Sequence, residues 1–209
     1  MRITAEAKTA TRQRILTAAA QLFQEQGWER ATTRDLAQAA RIANGTLFNY
    51  FQSKEAVAAA LIEEAVAGAY EEFARRQTGR ESLEEDLFSL IWTGLKRLRP
   101  FRKFLAPAAE AIFSPLAQPV RDGAGAGLRI RHLEAAEKIM AEHGVPRPLP
   151  AVALQLYWTL YLGVFAFWAA DESPHQEDSL ALVDRSLKLF AVAGITPVPQ
   201  GGTHGRKPE

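Results

Sequence analysis

A three-residue turn between two short helical patterns constrains this chain more than anything else in it. The stretch is TRDLAQAARIANGTLFNYFQSKEAV, residues 33–57. Thr32, with Asp35 three residues on, forms a capping-box variant that opens a helix with Leu36, Ala37 and Ala40 on its buried face. The turn at residues 41–43 follows, then a third helix with Leu47 and Phe51 pointing inward. Upstream, Ile15, Ala18, Ala19, Leu22 and Phe23 recur at helical spacing over residues 11–26, and Gly27 supplies a stop. Short helices that cross closely need small residues at the crossing, and Ala37 and Ala40 meet that need. The pattern is that of a helix-turn-helix.

Such a motif reads a DNA groove, and the third helix carries the chemistry for it. Asn44, Gly45, Thr46 and Asn49 give it a thin polar edge. Asn pairs with adenine in the major groove, and the Thr methyl meets the thymine methyl. Tyr50 and Lys54 are placed for phosphate contacts, which position a protein without reading sequence. The charge distribution agrees. The net charge is only +1, but residues 1–60 hold eight basic against five acidic side chains. The absence of Cys excludes disulfides and thiolate metal sites, and it fits a reducing cytoplasm. The polar, charged N-terminal stretch does not read as a signal peptide.

Beyond the motif the reading stays helical. Ser53 caps a pattern running to about Arg76, which at ~1.5 Å per residue spans on the order of 35 Å and is long enough to link two domains. Ser82 with Glu85 opens a helix containing Leu83, Leu87, Leu90, Ile91 and Leu98. Pro100, Pro107, Pro115 and Pro119 predict short broken pieces after it. Residues 128–142 are again helical, closed by Gly144 and Pro146. Residues 151–170 are nearly continuously apolar, and residues 178–193 form a last helix. The Pro- and Gly-rich end reads as disordered.

On these residues the chain resembles the TetR family of bacterial one-component transcriptional regulators. The resemblance rests on the order of elements over residues 11–57 and is most specific across TLFNYFxSKE, residues 46–55. It implies that Thr33, Arg34, Thr46, Phe48, Asn49, Tyr50 and Lys54 face DNA, while Leu36, Ile42, Leu47 and Phe51 hold a three-helix core. It also implies that an effector shifts the long linking helix, spreads two reading heads and releases DNA. Two departures from the family pattern stand out. The turn usually reads Gly-Val-Ser, and here it is Arg41-Ile42-Ala43. A non-Gly residue in a left-handed turn position costs about 1 kcal/mol, and losing the capping Ser costs a further ~1 kcal/mol. Asn44 is expected to take over the cap, which withdraws it from base reading. Phe48 stands where Tyr is common, so one phosphate-directed hydroxyl is missing.

Residues 148–170 carry no charge. A run of about 20 apolar residues fits a membrane span. Against that, Tyr157, Trp158 and Tyr161 sit in mid-run instead of at the two interfaces, and Gln155 and Thr159 interrupt it. The stronger expectation is a helix covered on one side by its own chain and on the other by a second copy. Val152, Leu156, Leu160 and Val164, with Val183, Leu187 and Phe190 of the last helix, are the expected four-helix dimer interface. A dimer also suits DNA reading, because two heads about one helical turn apart read a palindrome.

Aromatic residues cluster in the last two-thirds of the chain. Each alone reads as core, but together Trp92, Phe104, Phe113, Tyr157 and Tyr161 are the candidate lining of an apolar effector pocket. Nothing points to catalysis or to a cofactor. Gly123, Gly125 and Gly127 follow no strand and read as a connector. His132, His143, His175 and His204 lack ligand spacing, Glu134 and Glu137 read as a solvated face, and no nucleophile elbow is present.

The expected fold is all-α. It comprises a helix-turn-helix DNA-binding domain over residues 1–55, a helical effector-binding and dimerisation domain over 56–195, and a disordered tail over 196–209. The expected protein is a cytoplasmic, non-enzymatic, homodimeric repressor, released from a palindromic operator by a small apolar effector. The alternatives are a DNA binder tethered to a membrane through residues 149–170, and one controlled by a protein partner.

Overall fold

Helix caps written into the sequence decide where this chain turns. The computed structural model describes residues 4–113 and 126–193, and every regular element among them is helical. The first helix, α1 (Ala5–Gln26), begins where the Thr4 hydroxyl accepts from the Ala7 N–H at 3.2 Å. That is ahead of the expected start at residue 11, because residues 5–10 are exposed and carry no apolar face for periodicity to reveal. Gly27, at φ +81°, ends the helix. Helix α2 (Thr33–Ala39) opens on the complete capping box of Thr32 and Asp35. Arg41 turns the chain at φ +54°, and α3 (Asn44–Phe48) follows. Ile15, Leu16, Ala19, Phe23, Leu36, Ala37, Ala40 and Leu47 close this small core.

Ser53 caps α4 (Lys54–Arg76), which leaves the three-helix head and becomes the central helix of the rest. It packs most extensively on α5 (Leu83–Leu98), itself opened by the Ser82–Glu85 capping box. A 3-10 turn, Arg99–Phe101, leads into α6 (Arg102–Phe113). Here the expectation of broken pieces is corrected: Pro107 lies inside a continuous helix. An interior Pro costs about 3 kcal/mol. Burial of Phe104 and Leu105 on the same helix recovers roughly 1.5–3 kcal/mol each, so the helix survives. Pro115 and Pro119 lie outside the described residues.

Helix α7 (Ala126–Glu142) ends at Gly144, φ +82°. Helix α8 (Ala151–Ala170) coincides with the apolar run, and α9 (Glu177–Ala193) closes the described chain. The α8–α9 corner is held by Asp171, whose carboxylate accepts from the Ser173 N–H at 2.8 Å and the Ser179 N–H at 3.0 Å. Hydrogen bonds with Ser173 and then Ser179 keep that carboxyl well below the usual carboxylate range. Arg102 ties α6 to the same corner, donating to the carbonyls of Trp168 and Asp171.

Candidate functional site

The polar edge of α3 faces outward. Asn44, Gly45 and Asn49 are exposed, Thr46 is half-exposed, and Phe48 projects into solvent beside them. The buried Leu47 and Phe51 pin the same helix to the core. Arg34 on α2 is exposed next to the half-buried Thr33, while Tyr50 packs partly against the core. A Cβ added at Gly45 would meet nothing within 4 Å, so nothing in this chain requires a glycine there.

Two expectations about this edge change. Asn44 does not cap α3: Ala43 is the N-cap, no side-chain hydrogen bond caps the helix, and Asn44 is its first residue. At that position its side chain is exposed and makes no cap. Lys54 does not project toward a phosphate. Its ammonium donates to the Trp28 carbonyl at 3.0 Å and the Ala31 carbonyl at 3.4 Å, above the Trp28 ring. It closes the α1–α2 loop onto the start of α4.

Helix α8 has two distinct sides. Ala153, Tyr157, Trp158, Tyr161, Val164, Phe165 and Trp168 are buried within the chain. The opposite side exposes Val152 (71 %), Leu156 (50 %) and Phe167 (44 %), with Gly163 and Ala166 between them. On α9, Leu189 is 71 % exposed. Val164, Val183, Leu187 and Phe190, expected at an interface, are covered by their own chain and so do not face a second copy. The stripe is displaced by one turn at its end: Val152 and Leu156 keep their place, Leu160 is half-buried, and Phe167 and Leu189 replace the rest. Helix α8 is long and apolar enough to cross a membrane. Its outward face, however, carries Gln155, which accepts from Arg129 at 2.7 Å. That contact holds a charged guanidinium of α7 against the first turns of the apolar helix, and part of the helix is buried by its own chain.

The five aromatic residues chosen for a pocket do not converge. Phe104 packs on Phe23 of α1, ring centroids 5.0 Å apart, and forms the joint between the head and the rest. Trp92 stacks on Phe88 of its own helix. Phe113 ends α6, and its side chain lies outside the described residues. Tyr157 and Tyr161 do meet, and what they meet is His132. The imidazole is 1 % exposed, with the Tyr161 ring tilted against it at 3.9 Å between centroids and the Tyr157 ring stacked at 5.7 Å. The Tyr70 hydroxyl lies 3.1 Å from Nδ1 and the Tyr157 hydroxyl 3.2 Å from Nε2.

Burial pushes the His132 pKa down to about 3, so the ring is neutral. Burial also pushes the Tyr70 and Tyr157 hydroxyls up, so both stay protonated. Metal-ligand spacing could not have found His132. Helical register could: it stands in the buried stripe Leu128, His132, Ala136, Ile139 of α7. Among the described residues no group of three His, Cys, Asp or Glu side chains could hold a metal ion.

Comparison with known proteins places this geometry in context. Residues 15–61 match the family model described as bacterial regulatory proteins, tetR family. No curated protein sequence matches. Among solved structures, the chain is similar to FadR of Thermus thermophilus, a TetR family transcriptional repressor in complex with lauroyl-CoA. That match has a TM-score of 0.67 at 27 % identity, over 93 % of this chain and 100 % of that one. A TetR transcriptional regulator from a Rhodococcus species matches with TM-score 0.71 at 18 % identity, over 89 % of this chain and 98 % of that chain. The fatty acid degradation regulator FadR of Bacillus halodurans matches with TM-score 0.57 at 23 % identity, over 88 % and 95 %. The last two likenesses are those of fold.

Proposed function

We propose that this chain, which belongs to the TetR family of bacterial regulatory proteins, is a homodimeric repressor that leaves a palindromic operator when a small apolar effector binds. The observation that carries the reading is the outward edge of α3. It holds Asn44, Gly45, Thr46 and Asn49 on a helix pinned by buried Leu47, with exposed Arg34 beside it. Asn supplies the donor–acceptor pair that reads adenine, and Arg supplies a phosphate contact. The reading head is residues 1–55, and residues 56–195 serve the effector and the partner copy.

Pairing is supported by the apolar outward face of α8, with Val152, Leu156 and Phe167 around the small Gly163 and Ala166, and Leu189 of α9 beside it. Small residues let two such helices approach closely. An acyl-chain effector is supported by the lauroyl-CoA bound to the Thermus thermophilus relative. The protein works in the cytoplasm, where its DNA is. An effector acts only through its differential affinity for the DNA-bound and DNA-free spacings of the two heads.

The test is fluorescence anisotropy of the purified protein on DNA flanking its own gene, across a salt series. Tight binding at ~0.15 M salt, resistant to competitor and with two chains per site, is expected. Binding that is weak, sequence-independent and lost with added salt on every such fragment would overturn the reading.

A further inference from the structure

Arg41 occupies a place that other helix exits in this chain give to glycine. Helices α1 and α7 are left through Gly27 at φ +81° and Gly144 at φ +82°, whereas α2 is left through Arg41 at φ +54°. The turn itself is complete. The Arg41 N–H donates to the Gln38 carbonyl at 3.0 Å, and the Ile42 N–H donates to the Ala37 carbonyl at 3.0 Å. That pair of bonds is the Schellman helix exit, whose left-handed residue is usually Gly because it has no Cβ to crowd the backbone. An arginine held there against its conformational cost is expected to do something a glycine cannot.

Nothing inside the chain supplies that use. Arg41 is exposed, and among the described residues its guanidinium meets no hydrogen-bond, ion-pair or ring partner. A cation at a helix C-terminus gains from the helix dipole. Here, however, α2 has only seven residues, and the positive end of α3 follows at Asn44 and offsets the gain. Other cations of the head are engaged within it. Lys54 donates to the Trp28 and Ala31 carbonyls, Arg30 donates to the Gln26 carbonyl at 2.9 Å, and Arg12 pairs with Glu64 at 3.9 Å. Along α2, α3 and the turn between them, the only cations are Arg34 and Arg41, both exposed.

These two stand at opposite ends of α2. In a helix-turn-helix the second helix enters the major groove while the first crosses the backbone. At ~1.5 Å per residue their attachment points lie roughly 10 Å apart, against a groove about 12 Å wide. We propose that Arg41 is a DNA-phosphate contact, the counterpart of Arg34 at the far end of α2, and that its left-handed backbone is kept to hold the guanidinium against the duplex. The inference rests on reading the head as a DNA binder. A planar guanidinium takes two phosphate oxygens at once. The contact fixes the seat of α3 in the groove without reading sequence. It replaces the phosphate contact expected of Lys54, whose ammonium is engaged inside the head, and the hydroxyl that Phe48 lacks.

The test is fluorescence anisotropy of the full chain on two duplexes of equal length, the DNA flanking its own gene and an unrelated sequence, across a salt series. Arg41→Gly removes the guanidinium and suits the turn, while Arg41→Lys keeps a charge in the same turn. Arg41→Gly is expected to raise the thermal midpoint and yet weaken binding to both duplexes by a similar factor, roughly tenfold per chain near ~0.15 M salt. The slope of log affinity against log salt falls by about 0.9 per chain. Arg41→Lys keeps most of that slope. A merely structural arginine would move the midpoint and leave the slope alone.

An unchanged slope in Arg41→Gly, or a slope lost equally in Arg41→Lys, overturns the proposal. A loss confined to the flanking DNA overturns it too, because a phosphate contact is blind to sequence and such a loss marks a base reader. The wider reading fails separately. A protein that prefers its own flanking DNA and keeps its slope without Arg41 loses this contact and remains a sequence-specific regulator. A protein that binds both duplexes alike, with a slope that drops in Arg41→Gly, keeps the contact and loses the operator. Binding to neither duplex at low salt overturns both.

Discussion

The Lys54 ammonium lies 4.5 Å above the centre of the Trp28 ring and donates to the carbonyl of the same residue at 3.0 Å. One side chain thus clasps the loop between α1 and α2 onto the first turn of α4. Lys54→Met keeps the aliphatic stem and removes the charge. It is expected to lower stability by about 1–2 kcal/mol, the worth of a half-buried charged hydrogen bond with its ring contact. The urea midpoint should fall with an unchanged slope. An unmoved midpoint with weakened DNA binding would return Lys54 to the phosphate.

The turn into α3 carries two correctable costs. Arg41 sits at φ +54°, and the Ala43 cap makes no side-chain hydrogen bond. Arg41→Gly and Ala43→Ser are each expected to stabilise the protein by about 1 kcal/mol. Thermal unfolding of the two single variants checks this, and a fall in midpoint for either removes its cost from the account.

Gly45 weakens a helix of five residues although its Cβ position is empty. Gly45→Ala is expected to stabilise the fold by up to ~1 kcal/mol and at the same time to weaken operator binding severalfold. Opposite signs in the two measurements identify a glycine kept for close approach to DNA. Stability and affinity that rise together would show that this approach does not occur.

His132 makes stability depend on pH. The ordinary imidazole takes up its proton near 6.5, while the folded protein resists until about 3. Between these values the unfolded chain binds the extra proton. Stability is therefore complete above about pH 6.5 and is lost as pH falls through the window toward 3, by up to roughly 5 kcal/mol. His132→Phe should flatten the denaturation profile between pH 6.5 and 4 relative to the unaltered protein. Parallel profiles would mean that the carboxylates alone set the acid limit.

The outward face of α8 predicts which substitutions separate two copies. Phe167→Glu and Leu156→Glu place charges on the exposed stripe and are expected to yield folded monomers by sedimentation equilibrium. Val183→Ala, in a side chain already covered by its own chain, should cost about 1–2 kcal/mol of stability and leave the association constant unchanged. Dimers that persist in both charged variants would move the interface elsewhere.

What the sequence determined by itself is the three-helix order of the head and those helix limits that carry a local cap or stop. Thr32 with Asp35, Ser53, Ser82 with Glu85, and Gly27 act within a few residues of themselves, so each is legible without knowing what packs above it. The left-handed turn at Arg41 was implied by the resemblance, which has Gly there, and the backbone bears it out at φ +54°. Tertiary structure decided everything that depends on which neighbour arrives. Periodicity shows that α8 has two apolar stripes, but only the positions of α5, α6, α7 and α9 determine that Val164 faces in and Phe167 out. Lys54 has a phosphate-like reach in sequence and a carbonyl in the fold, because a long flexible cation goes to the acceptors the α1–α2 loop happens to present. Phe104 became a joint by meeting Phe23, which lies far from it in sequence. His132 became a buried relay because Tyr70 and Tyr157 reach it from two other helices, and no local spacing records that meeting.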